Sequence, residues 1–224
     1  MGCEFWSGVI SAAIVGFITL LGVYKTLKGQ EERDEKRRKD RNKAVKKAFY
    51  QELNTLWEKL IKPVEPFWVE YEETRFLDFR SFLSPDYLTI YRSNANHIGH
   101  IDDPELRDKI VNVYILLQAL IDGFKVNTEF LSEYNEADDR YNETIAKQTN
   151  PSAYQSQSLS VKYGTEAAGF EALRDHALQK LKGYAPELKK QYDDFADSIE
   201  ELLDMLEKDI LKQELPKPKW SWEQ

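Results

Sequence analysis

Between Phe5 and Tyr24 the chain carries no charged side chain. As a helix those 20 residues would be about 30 Å long, the thickness of the hydrocarbon layer of a bilayer. Such a helix is apolar on every side and has no stable place in water. The sequence therefore predicts that residues 1–30 form a transmembrane anchor, with the remaining mass folding beside the membrane. A secretory signal is the competing reading, but it calls for a basic start and a small-residue cleavage site. Here the start is Met1-Gly2-Cys3-Glu4, and the run closes on Tyr24, Lys25 and Leu27. Acylation at Gly2 fits less well, because the myristoylation pattern wants Ser or Thr where Trp6 stands. Cys3 lacks the upstream apolar segment of a lipoprotein cysteine.

Charge sets the orientation. Residues 25–47 hold eleven Lys and Arg, and none precede the apolar run. Basic residues beside a membrane helix stay on the cytoplasmic side, so the expectation is a bacterial inner-membrane protein, single-pass, N-terminus out, C-terminal domain cytoplasmic. Residues 1–47 carry a net charge of +5, which leaves -13 of the total -8 for residues 48–224. An acidic head is repelled by nucleic acid, and no nucleic-acid partner is expected. The single cysteine, Cys3, agrees with a reducing compartment and gives no basis for disulfides or thiolate metal sites.

Beyond the anchor the pattern is helical throughout. Glu32 and Lys36, Asp34 and Arg38, and Glu35 and Lys39 are acid-before-base pairs four residues apart, each supporting a helix by a few tenths of a kcal/mol. Val45, Phe49, Leu53, Leu56 and Leu60 then step by four and three until Pro63. These features predict a juxtamembrane stalk helix over 31–62, followed by a short helix near Glu65 to Thr74. Ser84, as cap, and Pro85, at the first helical position, predict a helix to about Asn96, closed by a positive-φ turn at Gly99. Asp102 and Glu105 have the spacing of a capping box, with Ile101 placed to pack on Leu106. From there Leu106, Ile110, Val113, Leu117, Leu120, Phe124, Asn127, Leu131 and Tyr134 keep the four-three rhythm of a heptad seam. That helix is expected to reach about Ala146, before a loop over 147–165. Two further helices are expected, Glu166 to Lys182 and Pro186 to about Lys212. The second has its own seam of Leu188, Tyr192, Phe195, Ile199, Leu202, Leu206 and Ile210. The fold class is all-α: a cytoplasmic antiparallel helical bundle over 63–215 and an extended tail over 216–224. No stretch alternates as a strand would.

Candidate chemistry is sparse. His97, His100, Asp102 and Asp103 place imidazoles and carboxylates in one loop, where two nitrogens and an oxygen could hold zinc or manganese. Capping already accounts for Asp102, however, and ordinary loop polarity accounts for the rest. His97, His100 and Asp103 are thus the metal candidates, while the reading itself assigns no metal, no cofactor and no catalytic residue. His176 lies in a helical pattern with no nucleophile motif beside it. The glycines form no phosphate loop. Within the anchor, Gly8, Ala12 and Gly16 lie four residues apart, the small-residue stripe that lets membrane helices pack closely. A buried Asn127 would fix helix register.

Three stretches carry a resemblance: the apolar span with its basic collar; Phe49-Tyr50-Gln51-Glu52-Leu53-Asn54; and Ile90-Tyr91-Arg92-Ser93-Asn94 through Ile98-Gly99-His100-Ile101 to Leu106, Ile110-Val111 and Tyr114. Together they resemble a widespread group of uncharacterised bacterial single-pass inner-membrane proteins with a cytoplasmic helical domain, many borne by prophages or mobile elements. The resemblance covers about the first 130 residues, implies an inner-membrane address and transfers no activity. The functional expectation is a non-enzymatic interaction protein that binds the lipid bilayer through its anchor and a protein partner or itself through its helices. The alternatives are a phage-exclusion or abortive-infection effector, suggested by the mobile-element association, and a metal-dependent enzyme using His97, His100 and Asp103.

Overall fold

The structure, a computed structural model, describes residues 3–81, 83–149 and 157–214; the side chains of 3–19, Pro85, Thr149, 157–162 and 213–214 are outside the described set. Among the described residues there is no strand. Five α-helices follow in order: α1 (Cys3–Leu56), α2 (Glu65–Thr74), α3 (Thr89–Ile98), α4 (Pro104–Thr149) and α5 (Gln157–Glu214). The chain divides into two compact units, Met1–Lys46 and Lys47–Gln224. The division falls inside α1, so residues 47–62 of the stretch read as a stalk belong to the larger unit.

In the first unit α1 is unbroken. Of the charge pairs expected on it, Lys39 and Glu35 meet at 2.6 Å; a contact outside that set has Asp34 3.8 Å from Arg37. These are exposed contacts that add no more than a few tenths of a kcal/mol each. The stripe of Gly8, Ala12 and Gly16 lies outside the described side chains.

In the second unit Phe49, Leu53 and Leu56 are buried as their spacing predicts. The helix does not continue as an α-helix to Lys62. Pro63 has no N–H, and its ring excludes the carbonyl four residues back. The chain answers by widening into one π-helical turn, Trp57–Ile61, and then tightening into a 3-10 turn, Lys62–Val64. Helix α2 covers the residues the sequence predicts. It ends on Arg75, a left-handed residue (φ 64°) whose N–H donates to the Tyr71 carbonyl at 2.8 Å.

Helices α4 and α5 form the core, running in opposite directions. An ion pair joins Lys109 to Glu201, another joins Glu133 to Lys180 at 2.8 Å, and Arg174 approaches Asp138 at 3.8 Å. Numbers that rise on one helix as they fall on the other define an antiparallel pair. On α4 every seam residue from Leu106 to Leu131 is buried, and Tyr134 is half-buried; on α5 the seven seam residues from Leu188 to Ile210 are all buried. Gly123 lets the helices approach: a methyl group there would lie 2.6 Å from Gln191 Oε1 and 2.9 Å from Leu188 Cδ1.

Several local expectations are corrected. Helix α5 is one element with Pro186 inside it, because Leu181, Ala185 and Leu188 carry the buried face across Gly183 and Pro186 without a change of register. Burial on both sides outweighs the local breakers. The predicted loop over 147–165 is mostly helix, and only 150–156 lie outside the described residues. Gly99 has φ -60°, not a positive value, and α3 closes through His100 N–H to His97 O and Ile101 N–H to Ile98 O, each 3.0 Å. The cap of α4 is Asp103 rather than Asp102. Its Oδ1 accepts from the N–H groups of Glu105 (3.0 Å) and Leu106 (3.2 Å), which leaves Pro104 at the first helical position. Ser84 caps only a 3-10 turn, Pro85–Tyr87, and α3 begins later, at Thr89. The tail over 216–224 lies outside the described residues.

Among the described residues, the helix long and apolar enough to cross a membrane is α4, over Pro104–Gln148, with a mean hydropathy of 1.2 in its best window. Half of that window is buried within the protein, and the core helix of a globular unit passes the same test.

The seam sets the first expectation. Leu117 is 1% exposed, so Leu117→Ala should cost about 2–5 kcal/mol. Glu133→Ala removes only a solvent-exposed ion pair and should cost about 0.5 kcal/mol at most. Thermal unfolding of the full chain in mild detergent, followed by circular dichroism, should separate the two clearly.

Candidate functional site

Helix α3 starts without a cap of its own, since the residue before it is Leu88, which has no side-chain hydrogen bond to offer. Its first free N–H groups are satisfied from α1. Glu52 Oε1 accepts from the Ile90 N–H at 2.7 Å, and Oε2 accepts from the Tyr91 N–H at 3.1 Å. The Tyr114 hydroxyl of α4 donates to Oε2 at 2.7 Å. One buried carboxylate therefore ties three helices together at a helix N-terminus, where the backbone dipoles favour negative charge.

Aromatic rings enclose this clasp. Tyr91 stacks on Tyr114 with centroids 4.0 Å apart and planes 24° from parallel, while Phe49 meets Tyr114 edge-on at 5.9 Å. Burial pushes the Tyr114 phenol far above its ordinary pKa, and the hydrogen bond to Glu52 and its negative charge push in the same direction. The phenol thus stays a donor. Three donors on two buried oxygens commit the carboxylate to holding these helices together.

Outside the clasp lies a groove of about 460 Å³, lined by Leu88, Tyr91 and Arg92 from the α3 side and by Tyr114, Ile115, Gln118, Ala119 and Asp122 from α4. Ile115 is 60% exposed at its edge. The polar groups are at the rim: Arg92 lies 3.5 Å from Asp86, and Gln118 Nε2 is 3.2 Å from both Asp122 oxygens. An apolar floor with a charged rim suits a side chain or helix of a partner.

The metal candidates do not converge. The His97 and His100 rings are 6.2 Å apart, Asp103 is occupied as the α4 cap, and among the described residues no three His, Cys, Asp or Glu side chains are placed to hold an ion. Among the described residues His97 Nδ1 is buried with no hydrogen-bond partner. Asn127 is buried in the seam, and its amide donates to the carbonyls of Leu77 and Phe79, each at 3.1 Å. It pins the irregular segment between α2 and α3 onto α4. Ser81 N–H to Thr128 Oγ1 at 3.1 Å and the edge contact of Phe79 with Phe124 do the same.

A second cluster surrounds the π turn. Trp57, Trp68, Tyr71 and Tyr192 pack ring to ring, and Trp68 Nε1 and the Tyr192 hydroxyl are both buried with no hydrogen-bond partner among the described residues. Burial raises the Tyr192 phenol, with the negative charges of Glu65, Asp193 and Glu200 adding to it.

Glu52 could have been found from two signals read together: a carboxylate three residues after Phe49 on the apolar stripe of α1, and a helix at Thr89 preceded by no capping side chain. No protein-family model, curated protein or solved structure matches the chain.

Removing the clasp should be costly in a graded way. Tyr114→Phe deletes one donor to a carboxylate and should destabilise by about 1.5–3 kcal/mol. Glu52→Ala strands two N–H groups and a hydroxyl and should cost clearly more. Paired thermal melts of the two variants check the order.

Proposed function

We propose that this chain is a membrane-anchored interaction protein without catalytic chemistry of its own. In this reading residues 1–30 span a bacterial inner membrane with the N-terminus outside. The helical bundle after the juxtamembrane stalk works on the cytoplasmic side, where it binds a protein partner or a second copy.

The observation that carries the reading is the state of the apolar run where its side chains are described. Leu20, Leu21, Val23, Tyr24 and Leu27 are all exposed, from 46% to 69%. At 100° per residue they spread over nearly half the helix circumference. Water does not favour such a surface, whereas lipid does. The Thr26 hydroxyl returns to the Gly22 carbonyl at 2.8 Å, which satisfies a polar group without solvent. The eleven basic residues of 25–47 then give the direction of insertion. Partner binding is favoured over catalysis because both oxygens of the best-built polar cluster, at Glu52, accept from backbone or Tyr114, while the adjoining groove is apolar with a charged rim.

Fusions made after Gln224 test the placement. A fluorescent reporter that matures only in the cytoplasm should be bright and sediment with membranes, and a reporter active only in the periplasm should be silent. The opposite pattern, or a chain recovered wholly in the soluble fraction, would overturn the proposal.

A further inference from the structure

We infer that residues 215–224 fold back over the end of α5 and seat Trp220 in a second groove, between α1 and α5, so that the chain supplies the occupant of its own site. This goes beyond the interaction reading above and does not rest on the anchor. The groove, of about 200 Å³, is lined by Lys47, Tyr50 and Gln51 from α1 and by Glu207, Ile210 and Leu211 from α5. Groove and tail belong to the same compact unit, Lys47–Gln224. The apolar part of the lining is open at Leu211, which is 51% exposed. The volume falls below the roughly 300–1,000 Å³ of sites that hold a free small molecule. A single large side chain suits it better.

The point where α5 stops decides which side chain that is. Glu214 closes the helix, about 4.5 Å along the axis past Leu211 and about 10 Å past Glu207. Pro216 and Pro218 exclude further helix and favour an extended chain that advances about 3.1 Å per residue. With the reversal made at Leu215 and Pro216, Trp220 arrives about 12 Å back along α5, level with Glu207, and Trp222 overshoots by about 6 Å. Charge points the same way. Residues 48–224 carry a net charge of -13, whereas 215–224 hold Lys217 and Lys219 against Glu223, +1, which leaves -14 for residues 48–214. The tail is thus drawn to the body that carries it. Within the lining, Glu207 on the α5 side attracts the lysines, while Lys47 on the α1 side repels them and favours the face of an indole. A Trp preceded by lysines meets both conditions. A groove this small gives a separate molecule too little to offset the freedom lost on association. A tether of six residues from Glu214 holds Trp220 at an effective concentration of about millimolar and removes that obstacle.

The experiment uses the full chain with Cys3→Ser in mild detergent and places one thiol beside the indole with Ser221→Cys. The second thiol is Gln51→Cys, in the lining, or as control Lys208→Cys, which is exposed on α5 at the height of Glu207 but outside the lining. Under mild oxidation the disulfide within one chain should form roughly tenfold faster with Gln51→Cys than with Lys208→Cys, because both are within reach of the tether and only one adjoins the groove. Adding Trp220→Ala should abolish the difference. Trp220→Phe, which keeps a ring, should retain most of it, and Trp222→Ala should leave it unchanged. Equal rates with the two partners, a difference that survives Trp220→Ala, or a disulfide formed between two chains would each overturn the inference.

Discussion

The Glu52 carboxylate is the contact on which the arrangement of α1, α3 and α4 depends. Helix α3 is ten residues long, too short to be stable alone in water, and it starts without a capping side chain. It exists because a carboxylate from another helix satisfies its first N–H groups, and because Tyr91 then stacks on Tyr114. Burying a carboxylate is expensive unless its oxygens are hydrogen-bonded; three donors, one of them a phenol held protonated by its surroundings, reach both oxygens. The same residues floor the groove, so its shape is inherited from the clasp.

The α4 and α5 pair supplies the rest of the stability. Its logic is continuity of the apolar seam, strong enough to carry a proline through the middle of α5 and to pack side chains of α5 against Gly123. Polar groups are admitted sparingly. Asn127 donates both its hydrogens to the segment before α3, which converts an irregular stretch into a fixed strap over α4.

Long-period features were legible in the sequence: the seams of α4 and α5, the all-helical class, and α2 between its flanking breaks. Local punctuation misled where tertiary burial overruled it, as at Gly183 and Pro186, or where two capping schemes competed, as at Asp102 and Asp103. Ser84 and Pro85 form a sound capping signal, but the turn they start closes after Tyr87. The clasp itself was hidden for a different reason. A cap supplied from 38 residues away has no spacing rule, and Glu52 reads locally as one more charged residue on a helix. His97, His100 and Asp103 are close along the chain, but among the described residues they are not grouped to hold an ion, and Asp103 is taken up as the α4 cap.

In the function proposed above, the clasp and its groove serve as a surface presented to a partner. Amide hydrogen exchange on the full chain tests the central claim that Glu52 organises this surface. The Ile90 and Tyr91 amides, in the first turn of a short helix, should be protected to nearly the level of the α4 core and should lose that protection in Glu52→Ala while residues 188–210 keep theirs. Rapid exchange of both amides in the unmodified protein would contradict the account.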